Sequence, residues 1–416
     1  VTSFPIEHVR NQFPSLEREY NGRPIIYFDG PGGTQMANQS LIRMNEYIRN
    51  GMANLHGSFI TSMETEHWID ETKQAVANLI GASKKEIAFG ANMTTLSLAI
   101  SRGLAKDIQP GDEIIVTELD HRANVDPWIR MAEDCGAIVK FISLNTETFT
   151  LNLEEMEELV TERTKIISVG MSSNVTGTVT DVKKVSEYAK KVNAILVVDA
   201  VHAVPHIAID FQELGADILL CSGYKFFGPH VGIAVIKESL FEKLTVYKLK
   251  PAPTYIPDKL ETGTQNHEGI AGLKGAIEFI ESLGTGETAR ERLVNGLHRI
   301  DQYENKLSSK LEDYLRSVPS ITLYRTSLSI SKTPTLAFTI EGVNAREFTE
   351  WFATNYSMCI ADGNFYASTM EEKLGVAKYG GWIRIGFAPY NTMEEVELFI
   401  KGMGEYLVTV ASSLKV

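Results

Sequence analysis

Through its middle, the chain alternates short runs of aliphatic and β-branched residues with segments of helical period. Glu86–Phe89, Glu113–Val116, Ala137–Ile142, Lys165–Val169, Ala194–Val198, Asp217–Cys221 and Gly232–Ile236 read as strands. Between them, Thr94–Ala105, the acidic Leu153–Val160 and Val182–Val192 carry the apolar spacing of helices. Near-continuous apolar strands mean burial on both faces, and their alternation with helices predicts an α/β fold built on a mostly parallel sheet flanked by helices.

After about residue 285 the pattern changes. A long charged helix is predicted from Glu287 to Leu315, followed by a strand at Thr335–Ile340, a helix at Ala345–Thr354, a strand at Trp382–Ile385 and a last helix from Met393. This is a smaller α+β unit. The expected division is an N-terminal segment, 1–24, packing with the small domain, a large domain, 25–285, and a small C-terminal domain, 286–416. Lys250–Pro257 holds three prolines and reads as an extended loop.

Composition narrows the classes of function. The chain has 416 residues, 44% of them hydrophobic, which suits two domains of an ordinary globular protein. A net charge of −13 argues against a partner bound through nucleic-acid phosphates. No run of residues suits a membrane span, and Val1–Pro5 lacks a secretory pattern. Cys135, Cys221 and Cys359 are odd in number and far apart, so neither a disulfide framework nor a metal site is expected, and a reducing cytoplasm is the expected home.

Chemistry concentrates at the predicted strand ends. Asp199 closes one apolar run, and Lys225 follows the next in Ser222-Gly223-Tyr224-Lys225-Phe226-Phe227-Gly228-Pro229. Open α/β sheets bind ligands in a crevice at their strand ends. A lysine that can form a Schiff base and an acid that can protonate a pyridine nitrogen are the two groups pyridoxal phosphate needs. Taken singly, such an acid also serves as a cap, and such a lysine as a solvated charge. Asn92-Met93-Thr94-Thr95 opens a helix and offers donors to an anion, or simply caps that helix. Gly30-Pro31-Gly32-Gly33 lacks a P-loop ending and reads as backbone passing close to a ligand. Asn174 can donate to a phenolate-like oxygen or form an Asx turn, and His121 can stack on an aromatic ring or lie in a surface loop. Arg384, within an apolar strand, needs an anionic partner, either structural or from a substrate.

Together these residues resemble the aminotransferase class V family of fold-type I pyridoxal-phosphate enzymes, and most closely its cysteine desulfurase and selenocysteine lyase branch. The resemblance runs from Tyr27-Phe28-Asp29-Gly30-Pro31-Gly32-Gly33-Thr34 to Arg384-Ile385-Gly386-Phe387-Ala388-Pro389-Tyr390-Asn391-Thr392. It implies that Lys225 carries the cofactor, that Asp199 pairs with its pyridine nitrogen and that His121 stacks on its ring. Asn174 and His202 would lie near its phenolic oxygen. Met93, Thr94, Ser222 and Tyr224 would hold its phosphate. It further implies a homodimer with sites at the interface, Thr264 reaching the partner's phosphate. Arg384, His56 and Tyr366 would face an amino-acid substrate. Two departures stand out. Tyr224 replaces the family's histidine before the lysine. Tyr366 stands where desulfurases carry a persulfide-forming cysteine, and Cys359, seven residues away, reads as a small buried residue in a strand.

The resulting expectation is an enzyme that acts on an amino acid, a desulfurase-like C–S lyase without the usual persulfide cysteine. The alternatives are a class V aminotransferase or an epimerase, because the early steps are shared. A non-catalytic protein that keeps the fold is the contrasting class, and a scaffold has no need of Lys225, Asp199, Asn174 and Arg384 together.

Overall fold

A computed structural model describes residues 4–413 of the chain. Seven strands form its main sheet, in the order Ile87–Gly90, Gly232–Ile236, Ile218–Ser222, Ile195–Asp199, Thr164–Gly170, Glu113–Thr117 and Ile138–Ile142. Gly232–Ile236 runs antiparallel to both neighbours, and the remaining pairings are parallel. Alternate residues of each strand serve opposite faces. Leu196 and Val198 join one buried cluster with Phe89, Ile115, Ile167 and Leu219. Val197 joins another with Ala88, Ile114, Val116, Ile166 and Leu220. Two covered faces explain why these strands are apolar throughout.

The covering helices begin where a side chain satisfies their free N–H groups. Asp181 caps Val182–Val192, Asn92 caps Met93–Leu104 and Asn266 caps His267–Ser282. The helix Ala289–Ser317 starts in a capping box, with Thr288 and Glu291 each accepting from the other's backbone N–H. Its Leu293, Leu297 and Ile300 pack on the main core. Its Leu307, Leu311 and Leu315 pack on a second core, around Phe338, Phe348 and Phe399.

That second core lies on a four-stranded antiparallel sheet, in the order Ile321–Tyr324, Thr335–Ile340, Trp382–Gly386 and Ala361–Gly363. The N-terminal part of the chain reaches it through the parallel pairing of Ile26–Tyr27 with Met358–Cys359, and Phe28 is buried within it. The segment expected to be one helix over Leu153–Val160 is a 3-10 turn, Leu153–Glu155, followed by the single-turn helix Met156–Leu159. Only Leu153 and Met156 of it are buried, too little apolar surface to hold a longer helix in place.

Candidate active site

The parallel strands all end on one side of the sheet, and there the chain encloses a cavity of about 720 Å³. Asp199 is the last residue of its strand and Ser222 the last of the next. Gly90, Thr117 and Gly170 end the strands that lead to Met93, His121 and Asn174. Met93, Thr94, His121, Asn174, Asp199, His202, Ser222, Tyr224, Lys225, Tyr366 and Arg384 all line this space. His56 lies elsewhere, in a groove with Glu66 and Tyr255. Thr264 is exposed on the loop before His267–Ser282.

Asp199 accepts one hydrogen bond, from the Val201 N–H at 2.9 Å, and burial pushes its carboxyl up to about 7. A second acid, Asp120, lies close enough to raise it further. Asp120 itself accepts from Gly170 N–H (2.6 Å) and Asn124 Nδ2 (2.9 Å), and burial raises it to about 6. A buried carboxyl held by one donor would gain a strong partner in a protonated ring nitrogen. The acceptor Oδ1 of Asn174 and the hydroxyl of Ser172, both at the cavity, are buried without protein partners. These unspent groups fit the cofactor expected there.

Across the cavity, Lys225 Nζ donates to the carbonyls of Pro31 and Gly32. Burial and then the Arg384 charge lower its pKa to about 7, which leaves much of the amine neutral near neutral pH. The Ala123 N–H donates to His121 Nδ1 (3.0 Å), so the ring proton sits on Nε2. Burial lowers His121 to about 4, which keeps the ring uncharged and suited to stacking. His202 Nε2 lies 3.0 Å from the hydroxyls of both Thr333 and Thr335, and burial keeps this ring neutral too.

The N-terminus of Met93–Leu104 supplies the positive end of a twelve-residue helix. Asn92 Oδ1 satisfies Thr95, and Ser222 Oγ accepts from Met93 N–H (3.0 Å). Gly232 is required here, because a Cβ would lie 2.4 Å from the Asn92 backbone. Tyr224 stacks on His230, with ring centroids 4.9 Å apart.

Arg384 is buried in its strand and donates from Nη1 to the Asn174 carbonyl at 2.7 Å, while its Nε has no partner. Its guanidinium lies 3.8 Å from the centroid of the Phe365 ring. Burial works against its charge and lowers its pKa to about 9, a cost that an incoming carboxylate would offset. Phe365 and Tyr366 both take left-handed backbone, at φ 54° and 58°. Such residues cost about 1 kcal/mol each and need outside support. The support comes from Arg122 N–H donating to the Tyr366 carbonyl (2.9 Å), Tyr366 N–H to Asn364 Oδ1 (3.1 Å) and Asn174 Nδ2 to the Phe365 carbonyl (2.9 Å). Tyr366 then stacks on His121, with centroids 5.2 Å apart. Asp120, Ser172 and His230 escape the sequence reading, although Asp120 directly precedes His121 and carried that signal, while Phe365, expected with Tyr366 to shape the pocket, lines it.

None of the three cysteines lines the cavity. Cys221 is fully buried in the sheet, and burial raises its thiol. Cys359 is pushed up to about 11, chiefly by burial, and Cys135 is also raised.

The Aminotransferase class-V family pattern matches residues 26–399. Cysteine desulfurases from Salmonella gallinarum and Salmonella typhimurium are each 31% identical to this chain over 417 aligned residues, covering 96% of this chain and 98% of theirs. A cysteine desulfurase structure from Thermococcus onnurineus superposes with a TM-score of 0.88 at 27% identity, covering 98% of each chain. The S-sulfonic acid form of the Escherichia coli cysteine desulfurase CsdA does so at 0.85 and 25%, covering 98% of this chain and all of its own. A likeness of that extent, on a sheet whose strand ends carry a half-buried acid and a half-buried lysine around one cavity, makes this chain a member of the class V aminotransferase family of pyridoxal-phosphate-dependent enzymes.

Proposed function

We propose that the chain is a pyridoxal-phosphate enzyme that breaks a C–S bond in an amino acid without a persulfide-forming cysteine of its own. The observation that carries this reading is a cavity with a half-buried amine, a half-buried acid and a buried guanidinium but no thiol at its lining. Lys225 would hold the cofactor covalently, Asp199 its ring nitrogen, His121 its ring, and Asn174 with His202 its phenolic oxygen. Met93, Thr94, Ser222 and Tyr224 would hold the phosphate, joined by Thr264 of a second copy. When bound, the cofactor supplies an electron sink for the carbanion at the substrate's α carbon.

Arg384 grips the substrate carboxylate and so fixes which α-carbon bond is presented. The freed amine of Lys225, with its pKa near 7, takes the α proton. Asp199, as a carboxylate, would keep the ring nitrogen protonated, which lets the ring accept the electrons left behind when the proton is removed. Phe365 covers the Arg384 guanidinium, and Tyr366 stacks on His121. The large apolar side chains Met52, Phe59, Ile60 and Met63 are exposed close in sequence to His56, and Tyr255 is exposed in its groove. Exposed apolar surface of this kind supports a homodimer. Transamination is the second reading, since it uses the same residues and equally needs no thiol.

The test is a panel of amino acids read for pyruvate, alanine, sulfide and ammonia, run on wild type and on Cys359→Ala. Sulfide release together with pyruvate and ammonia, undiminished in Cys359→Ala, is the expected result. An oxo-acid-dependent amino transfer without sulfide selects the second reading. A folded Cys359→Ala variant that loses all turnover refutes a thiol-free mechanism.

A further inference from the structure

Asp29 has no part in the mechanism above, yet Lys225 and Arg384 both feel its charge, and they in turn offset the burial that raises its carboxyl. The chain turns sharply after it, with Gly32 N–H donating to the Asp29 carbonyl at 2.7 Å. Asp29 also pairs in parallel register with Gly386, two residues past Arg384. Its Oδ1 is buried and accepts no hydrogen bond. The turn lies between the two cations. The Pro31 and Gly32 carbonyls hold Lys225 Nζ, the latter at 3.1 Å. A Cβ at Gly32 would lie 3.1 Å from the Asp29 carbonyl oxygen and 3.7 Å from Arg384 Nη2. Carbonyls stabilise an ammonium by hydrogen bonding but carry no net charge, so a half-buried ammonium there still gains from a counterion.

We propose that the Asp29–Gly32 turn is the holding site for the free amine of Lys225, with the Pro31 and Gly32 carbonyls as its acceptors and the Asp29 carboxylate as the counterion it shares with Arg384. Asp29 is thus a positioning residue. The inference rests on Lys225 being the lysine that bears the cofactor. The other charges acting on the amine are Arg384 from its strand and Asp199 from the sheet end, and His121 and His202 in turn feel the amine. In the cofactor-free protein burial keeps Asp199 protonated to about pH 7, which leaves Asp29 to balance the amine below that pH.

The experiment mixes cofactor-free protein with pyridoxal 5′-phosphate across pH 5.5 to 9 and follows the visible band as the amine condenses with the aldehyde and water leaves. Only the neutral amine attacks, so the rate rises with pH through the pKa of Lys225. Removing the Asp29 charge disfavours the ammonium. Asp29→Asn should move the midpoint down by about one pH unit, giving roughly tenfold faster capture below it, with the high-pH plateau unchanged. Asp29→Ser should do the same, and Asp29→Glu should restore the wild-type midpoint. A midpoint unmoved in a folded Asn or Ser variant, or a loss confined to the plateau, overturns the proposal. A wild-type protein that never forms the band overturns the cofactor reading, and this inference with it.

Discussion

Asp199, proposed to hold the cofactor's ring nitrogen, also bears on stability. In the folded, cofactor-free chain its carboxyl keeps a proton to about pH 7, because burial opposes the charge. In the unfolded chain it releases that proton near pH 4. Between those values the folded state binds more protons than the unfolded one, so stability falls as pH rises from about 4 to about 7. The loss is on the order of 4 kcal/mol. Asp199→Asn has no such slope. Thermal melts of cofactor-free protein should show the variant gaining on wild type between pH 5 and pH 8, and parallel curves would contradict the burial argument. Phe365 lines the same cavity beside Arg384. Its ring covers the Arg384 guanidinium, an interaction of about 1–2 kcal/mol when water is excluded. Phe365→Ala should raise KM for the amino acid roughly tenfold with a smaller change in kcat, as measured by steady-state kinetics.

The helix Ala289–Ser317 couples the two cores through a buried pair, His206 Nδ1 to Glu304 Oε2 at 2.7 Å. Burial pushes Glu304 up to about 7, and His206 pulls against that shift. Taking away one member leaves the other buried and unmatched. Glu304→Ala should therefore cost about 3–5 kcal/mol, seen as a lower denaturation midpoint. The strands of the main sheet were the most legible elements. Leu196, Val197 and Val198 are apolar because both faces are covered, and the observed strand, Ile195–Asp199, differs from Ala194–Val198 by one residue at each end. The helices Asn38–Asn50, Ile60–Ile80 and His267–Ser282 were not legible in the same way. Asn38–Asn50 buries only Ser40 and Tyr47, and Ile60–Ile80 mixes Thr65, Thr72 and Lys73 into its buried face, so a hydrophobic period is hard to see. Their stability comes from packing, as where Ser40 Oγ donates to the Gly272 carbonyl at 2.7 Å.

At the scale of the molecule, the cavity lies between the strand ends of the main sheet and the loops of the second one. Asp199, Lys225 and His121 come from the first, and Arg384 and the Asn364–Tyr366 segment from the second. The strand-end residues were readable because each follows an apolar run. The contacts that join the two halves, such as Asn174 to the Phe365 carbonyl or Lys225 to Pro31, link residues 191 and 194 positions apart and leave no local signature. The account as a whole stands on Lys225. Protein purified after expression with ample pyridoxine should be yellow, and borohydride should abolish the visible band while fixing the cofactor's mass on the peptide that contains Lys225. A folded wild-type protein that shows no such band, or a tag on any other lysine, would contradict it.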